Sequence, residues 1–145
     1  MSQQGRALQI AVAIATLVPI GAGLAGMIGG ASFIGWIDDT TLTGSMLDSH
    51  LRYLSGLLLA MGVAYLASLR NIEQHGTRFS VLTALVVTGG IARLSGLMAG
   101  GGVTRGIIFS LTMELAITPA LWFWQRRIAR RYRASSGGIQ APDRA

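Results

Sequence analysis

The chain has 145 residues, of which 51% are hydrophobic and 12% are charged, and it contains no cysteine. In soluble domains about a quarter of the residues are usually charged. The low charged fraction of this chain, together with its mean hydropathy of +0.52, argues against a soluble protein. The lack of cysteine excludes disulfides, thiolate metal sites and cysteine nucleophiles. Most of the +6 net charge follows the last apolar segment, which indicates contact with anionic lipid rather than nucleic acid.

Four apolar stretches follow one another, at residues 7–28, 51–69, 79–99 and 106–124. About 20 residues at a helical rise of 1.5 Å cover the roughly 30 Å hydrocarbon core of a bilayer. The sequence therefore predicts an all-α integral membrane bundle of four transmembrane helices. The first uncharged run extends to residue 37, much longer than a signal-peptide core, which favours a retained helix. Small residues at 26–31 leave a cleaved signal peptide as the alternative.

Arginine positions predict the orientation, because basic residues are retained in cytoplasmic loops. Arg6, Arg70 and Arg78 fall on the same side as a cluster after the fourth stretch, and Arg52 and Arg105 fall on the other. Both termini are therefore expected in the cytoplasm. For the cluster we expect contact with anionic lipid or a partner protein; it comprises Arg126, Arg127, Arg130, Arg131 and Arg133.

Residues 1–133 are expected to form a single membrane domain with a basic end. Residues 134–145 are small, polar and contain glycine and proline, which predicts a disordered tail. The second helix is expected to begin near Met46 after a capping box made by Ser45 and Asp48. Kinks are expected at Pro19 and Pro119, which free the carbonyls of Ala15 and Leu115. Thr16 and Thr118 stand close enough to help satisfy the disturbed backbone.

Small residues recur at four-residue spacing, which lets helices approach closely in lipid. We expect these stripes to pack inside the bundle; the first helix has Ala22, Gly26 and Gly30, the second has Gly56, Ala60, Ala64 and Ser68, the third has Ala92, Gly96 and Gly100, and the fourth has Gly106, Ser110 and Thr118.

Two charged residues, Arg93 and Glu114, lie inside otherwise uncharged helices, where charges usually face protein or water. Both are roughly 9 to 12 Å from the non-cytoplasmic ends of their helices at 1.5 Å per residue, so they are expected to meet. The sequence predicts one polar cluster of Arg52, Arg93 and Glu114, with Asp48 and His50 at its mouth. Asp48 and Arg52 have the i, i+4 spacing of a helical ion pair.

This cluster has two interpretations. Surplus positive charge could hold an anionic ligand, a lipid headgroup or a carboxylate from another chain. Alternatively, Glu114 neutralises Arg93 as a structural clamp while Arg52 extends to the surface. The clamp is the favoured interpretation.

The sequence offers little for catalysis. Only His50 and His75 have ordinary pKa values near neutrality, and they are expected on opposite sides of the membrane. A metal site from His50 with Asp38, Asp39 and Asp48 lacks a recognised ligand spacing. We therefore expect no catalytic residues, metal or cofactor, and no enzymatic activity.

Three segments together resemble an uncharacterised family of small bacterial membrane proteins, domain of unknown function 4345: DSHLRYLSGLLLAMG, GGIARLSGLMAGG and MEL. The resemblance spans about residues 8 to 126, and the family's acidic residue, two arginines and glutamate correspond to Asp48, Arg52, Arg93 and Glu114. Ser55–Gly56 replaces a more typical glycine pair, and the basic tail is this chain's own. The resemblance implies a four-helix fold and a multi-pass protein of the bacterial inner membrane, but no activity.

The favoured function is an accessory or structural subunit of a larger membrane assembly, with a membrane protein or further copies of the chain as partner, besides membrane lipids, and no nucleic acid. The first alternative is a binding or transport module for a small anionic or lipid-like molecule at the cluster. The second is an enzyme acting on lipid or quinone, for which only His50 could titrate.

Overall fold

The structure is a computed structural model that describes residues 3–33, 44–70, 72 and 74–137, with side chains as far as residue 134. This part of the chain is helical. Helix α1 (Gln3–Gly29) continues into a 3-10 turn (Gly30–Phe33), and α2 (Ser45–Ala67), α3 (Gly76–Met98), α4 (Arg105–Thr112) and α5 (Thr118–Gly137) follow. A π-helical turn (Met113–Ile117) joins α4 directly to α5.

Within the described ranges, four helices are long and apolar enough to cross a membrane: Gln3–Phe33, Ser45–Ala67, Gly76–Met98 and Arg105–Ala134. The predicted all-α fold with four long apolar helices is confirmed, and the protein is a multi-pass membrane protein. Helix α5 extends to Gly137, beyond the predicted boundary at residue 134. The rest of the predicted tail, residues 138–145, lies outside the described residues, as do residues 34–43.

The chain divides into two compact units, a hairpin unit (Val12–Leu69) and a core unit (Met1–Ala11 with Arg70–Ala145). In the hairpin unit, glycines bring α1 and α2 together. A Cβ on Gly23 would lie 2.7 Å from the backbone nitrogen of Leu59, and one on Gly26 would collide with the Ser55 hydroxyl. The predicted packing role of Gly26 is confirmed, whereas that of Gly23 was not predicted because its spacing lies outside the four-residue stripe.

In the core unit, α3 packs against α5, and the unit also includes the start of α1 and the connection before α3. The apolar side chains buried there are Leu8, Ile72, Phe79, Leu82, Ile128 and Ala129. Two polar contacts cross this core. The Trp122 indole donates to the Ser80 hydroxyl at 2.8 Å, and the fully buried Gln125 amide donates to the Ile72 carbonyl at 2.8 Å. These bonds fix the rotation of α5 about its axis.

Two local predictions are wrong. The residue that precedes α2 is Gly44, and Ser45 is already helical without a side-chain cap, because the Asp48 carboxylate has other partners. On α3, the glycine that packs closely is Gly90. Several members of the predicted stripes are exposed instead of packed: Ala22, Ala60, Ala92, Gly96, Gly100 and Gly106. Four-residue spacing alone does not say which side of a helix packs.

Candidate functional site

The first charged pair lies on one turn of α2. Arg52 Nε donates to Asp48 Oδ2 at 2.7 Å, and the side chains are 43% and 36% exposed. The predicted i, i+4 ion pair is confirmed. Exposed pairs of this kind contribute little to stability by themselves, so its importance depends on what else the two side chains bind.

The pair also binds the end of α1. Arg52 Nη1 donates to the carbonyl oxygens of Met27 and Ile28 at 2.7 and 2.8 Å, and Asp48 Oδ1 accepts from the backbone N–H of Ala31 at 2.8 Å. The last carbonyls of a helix have no partner within it, and they carry partial negative charge. Arg52 supplies both a donor and a positive charge there, so the Asp48–Arg52 pair caps the preceding helix.

Gly30 makes this close approach possible. Its φ of +55° lies in the left-handed region that commonly ends helices. A Cβ at this position would collide with Asp48 Oδ1 and lie 2.7 Å from Arg52 Nη2. The sequence analysis missed the cap; the Gly29–Gly30 dipeptide was its signal, because glycine favours this conformation at a helix end.

The second charged pair joins α3 to the π-helical turn. Arg93 Nε and Nη2 donate to Glu114 Oε2 and Oε1, both at 3.2 Å, so the guanidinium and the carboxylate meet through two parallel bonds. The predicted meeting of Arg93 and Glu114 is confirmed. Arg93 is 43% exposed and Glu114 is 20% exposed. Because the arginine is the more exposed partner, the pair presents its guanidinium to the surroundings.

Gly90, one turn before Arg93, sets the separation between these two segments. A Cβ on Gly90 would lie 2.8 Å from Leu115 Cδ2 and 2.9 Å from Glu114 Cβ. The neighbouring Gly89 has nothing within 4 Å of such a Cβ. The hydrogen on Gly90 therefore lets the backbone of α3 approach the π-helical turn closely enough for Arg93 to reach Glu114.

The π-helical turn lies directly before Thr118 and Pro119. Pro119 has no N–H to donate, so a helical carbonyl before it loses its partner. The Thr118 backbone N–H bonds to the Met113 carbonyl, and the Thr118 hydroxyl donates to the same oxygen at 2.8 Å. Thr118 thus bonds to the backbone near Pro119, but at the Met113 carbonyl and not at the predicted Leu115 carbonyl. In α1 the Thr16 hydroxyl likewise bonds to the Ala13 carbonyl and not to the predicted Ala15 carbonyl. π-helical turns are frequent at functional positions in helices.

The structure thus pairs Asp48 with Arg52 and Arg93 with Glu114. That these four residues form one cluster stays a prediction. His50 is exposed beside Tyr53, with ring centroids 6.3 Å apart, on a shallow depression of α2. Among the described residues, no three His, Cys, Asp or Glu side chains are grouped to hold a metal. Asp38 and Asp39 lie outside the described residues, so the predicted metal site is untested as a whole.

The five clustered arginines of α5 are all exposed: Arg126, Arg127, Arg130, Arg131 and Arg133. The Arg126 guanidinium lies 4.8 Å from the Trp122 ring centroid, a cation–π contact. Arg131 Nη1 donates to Gln4 Oε1 at 3.0 Å, which ties the end of α5 to the start of α1 within the core unit.

Most of the chain matches a known protein family. Residues 7–125 match the family model described as Domain of unknown function (DUF4345). The chain belongs to this family. Both charged pairs lie within the part that matches the DUF4345 model, and the arginine cluster begins at the next residue, outside it. No curated protein and no solved structure matches the chain.

Proposed function

We propose that this DUF4345 protein is an accessory or structural subunit of a larger membrane assembly, with no catalysis of its own. It resides in the inner membrane of a bacterium, and both termini face the cytoplasm. The observation that carries the proposal is that the charges within its apolar helices are engaged by the chain itself. Arg93 holds both oxygens of Glu114, and Arg52 holds Asp48 and the end of α1.

Charges arranged in this way favour a structural role. A charge in a membrane helix is costly unless it is paired, and a carboxylate that accepts two parallel bonds neutralises the charge of the guanidinium. A chain that uses its intramembrane charges to hold its own helices together has fewer of them left for a reaction. These pairs therefore support the clamp interpretation.

One exposed side of α3 favours the presence of a protein partner. Gly89, Ala92 and Gly96 are exposed, and a Cβ on Gly89 or Gly96 would meet nothing within 4 Å. They share one side of α3, because Gly89 and Gly96 are seven positions apart, which is about two helical turns, and Ala92 lies between them. Small residues at such spacing allow a second helix to approach closely in lipid. We assign this side of α3, the small-residue face, to a helix of the partner protein.

The arginine distribution supports the orientation. Within the core unit, Arg6, Arg78 and the α5 cluster lie at the end that carries the Gln4–Arg131 and Trp122–Ser80 contacts. Arg105 begins α4 at the other end of the fourth apolar helix. Because the arginine-rich end is retained in the cytoplasm, the termini lie there too. Protease access to the C-terminal segment in sealed inverted vesicles, but not in intact cells, tests this orientation.

The partner is tested with single cysteines, for which the cysteine-free chain offers a clean background. Ala92→Cys places a thiol on the small-residue face. Ile91→Cys is the matched control, because Ile91 is 57% exposed and projects about 140° away from Gly96 around the helix. Each variant is labelled with a thiol-reactive benzophenone and irradiated in native membranes.

We expect Ala92→Cys to give one stoichiometric adduct with another membrane protein, identified by mass spectrometry, and Ile91→Cys to give mainly lipid adducts. Only lipid adducts from both variants, or only dimers of this chain, would contradict the proposed assembly. A common adduct pattern from both positions would show that the small-residue face has no special role.

A second candidate function is a binding module for a small anionic or lipid-like molecule. The observation that favours it is the 43% exposure of Arg93 beside the less exposed Glu114. In this case a fatty-acid carboxylate such as oleate should raise the melting temperature of the wild type and of Arg93→Lys, but not of Arg93→Gln. An equal shift in all three proteins would reject this site.

A further inference from the structure

The exposed arginines of α5 are confined to one side of the helix. At 100° per residue, the five arginines from Arg126 to Arg133 occupy a sector of about 160°. The opposite sector holds Gln125, Ile128 and Ala129, all buried in the core unit. Residues 125–133 therefore anchor the helix on one side and present a row of guanidinium groups on the other.

Helix length places this row at the edge of the membrane. The fourth apolar helix, Arg105–Ala134, has 30 residues and is about 45 Å long at 1.5 Å per residue, whereas the hydrocarbon core is roughly 30 Å thick. If Arg105 lies at one membrane–water interface, the other interface lies near Trp122 and Trp124. Tryptophan is enriched at this level of the bilayer. The arginines begin two residues later, in the headgroup region.

Tertiary contacts add arginines from other segments. Arg131 bonds to Gln4, Gln125 bonds to the carbonyl of Ile72, and Trp122 bonds to Ser80. Three further exposed arginines are each two positions along the chain from Gln4, Ile72 or Ser80. They are Arg6, Arg70 and Arg78. All belong to the core unit, so the arginines of three chain segments lie at the same end of it.

From this arrangement we propose that the arginine side of α5, together with Arg6, Arg70 and Arg78, is a binding surface for the headgroups of anionic phospholipids. We call it the arginine surface. The phosphates and negative charges of these headgroups lie at the depth that helix length gives to the guanidinium groups, and arginine binds phosphate through paired N–H donors. The surface acts whichever way the chain is oriented, and it does not depend on a partner protein.

The full-length protein is tested in a neutral detergent with an equal mixture of phosphatidylglycerol and phosphatidylcholine, and retained lipid is read by native mass spectrometry. The main variant replaces Arg127, Arg130 and Arg133 by glutamine, which leaves the contacts of Arg126 and Arg131 in place. A second variant carries lysine at the same positions. Arg105→Gln and Arg130→Gln form a matched pair of single changes at opposite ends of one helix, and circular dichroism checks that every variant is folded.

We expect the wild type to retain phosphatidylglycerol in preference to phosphatidylcholine, and less of it at high ionic strength. Each arginine near an anionic surface contributes about fivefold in affinity, so the triple glutamine variant should bind about 100-fold more weakly. The triple lysine variant should keep most of the binding. Arg130→Gln should weaken it, and Arg105→Gln should not.

Several results would overturn the proposal. These are equal retention of both lipids by the wild type, unchanged phosphatidylglycerol binding by the triple glutamine variant, or the same loss in the lysine variant as in the glutamine variant. An equal effect of Arg105→Gln would show that total charge, not this surface, controls binding. Retention of an acidic protein in place of lipid would assign the surface to a protein partner.

Discussion

Arg52 Nη1 lies 2.7 Å from the carbonyl oxygen of Met27, so a side chain on the second turn of α2 closes the last turn of α1. The two residues are 25 positions apart in the sequence. Asp48 holds the guanidinium in place from one turn earlier. Two helices are thus joined at one end by a cap that neither of them could form alone, and the first prediction concerns this cap.

Replacing Arg52 by leucine should destabilise the hairpin unit. The change removes charge-assisted bonds to two helix carbonyls and leaves Asp48 without its cation, so we expect a loss of about 1 to 2 kcal/mol in the free energy of unfolding. Arg52→Lys should recover part of it, since lysine keeps the charge but cannot form the same fork. The free energy of unfolding of both variants is measured by adding SDS to the protein in mild-detergent micelles. Arg105→Gln, which removes an exposed arginine elsewhere, should leave the free energy within about 0.5 kcal/mol of wild type.

Gly30→Ala should also weaken the cap. Alanine disfavours a φ of +55°, and its Cβ would collide with Asp48, which leads us to expect a loss of about 2 kcal/mol or more. Gly21→Ala is the matched control, because Gly21 is an exposed residue of α1, the helix that precedes Gly30, with nothing within 4 Å of an added Cβ. Melting of the helical circular dichroism signal should separate the two variants. Equal melting temperatures would mean that Gly30 does not limit the cap.

Two adjacent glycines of α3 should respond differently to the same change. Gly90→Ala places a methyl group 2.8 Å from Leu115 and 2.9 Å from Glu114, and the required separation of the segments should cost about 1 to 3 kcal/mol. Gly89→Ala meets nothing and should be neutral or slightly stabilising, since alanine favours helix. The comparison uses the same unfolding measurement. If Gly89→Ala were the more harmful change, another helix would have to pack on that side of α3.

The Arg93–Glu114 pair is tested by a double-mutant cycle. Arg93→Leu and Glu114→Gln should each lower stability, because each leaves the other partner without its counterpart. The double variant should recover part of the loss, with a coupling energy of at least about 1 kcal/mol. Strictly additive losses would contradict a clamp between these side chains. Arg93→Lys shows how much of the coupling depends on the two parallel bonds seen here.

Much of the architecture could be predicted from hydropathy alone. Runs of about 20 apolar residues can satisfy their backbone in lipid only as helices, so the four long helices followed directly from the sequence. Helical rise predicted matching levels for Arg93 and Glu114 in their helices, and the expected pairing of the two side chains is observed. The i, i+4 spacing of Asp48 and Arg52 was sufficient to predict their ion pair.

Spacing within one helix could not identify the contacts between helices. It assigned Asp48 to a capping box with Ser45, whereas the carboxylate binds Arg52 and the N–H of Ala31. It chose Gly96 over Gly90 as the packed glycine of α3, because Ala92 and Gly100 stand four residues from Gly96, whereas the residues four positions from Gly90 are large. Which side of a helix packs depends on the rotation and approach of its neighbour, and no local pattern encodes that.

The sequence by itself determined that the protein consists of four membrane-length helices and that the charges within them must be paired, because unpaired charge and unsatisfied backbone are costly in lipid. Only the tertiary structure decided that Arg52 caps α1, that Gly90 brings α3 against the π-helical turn, and that Gln4 meets Arg131. These contacts join residues distant along the chain, and their geometry is set by how closely two backbones approach.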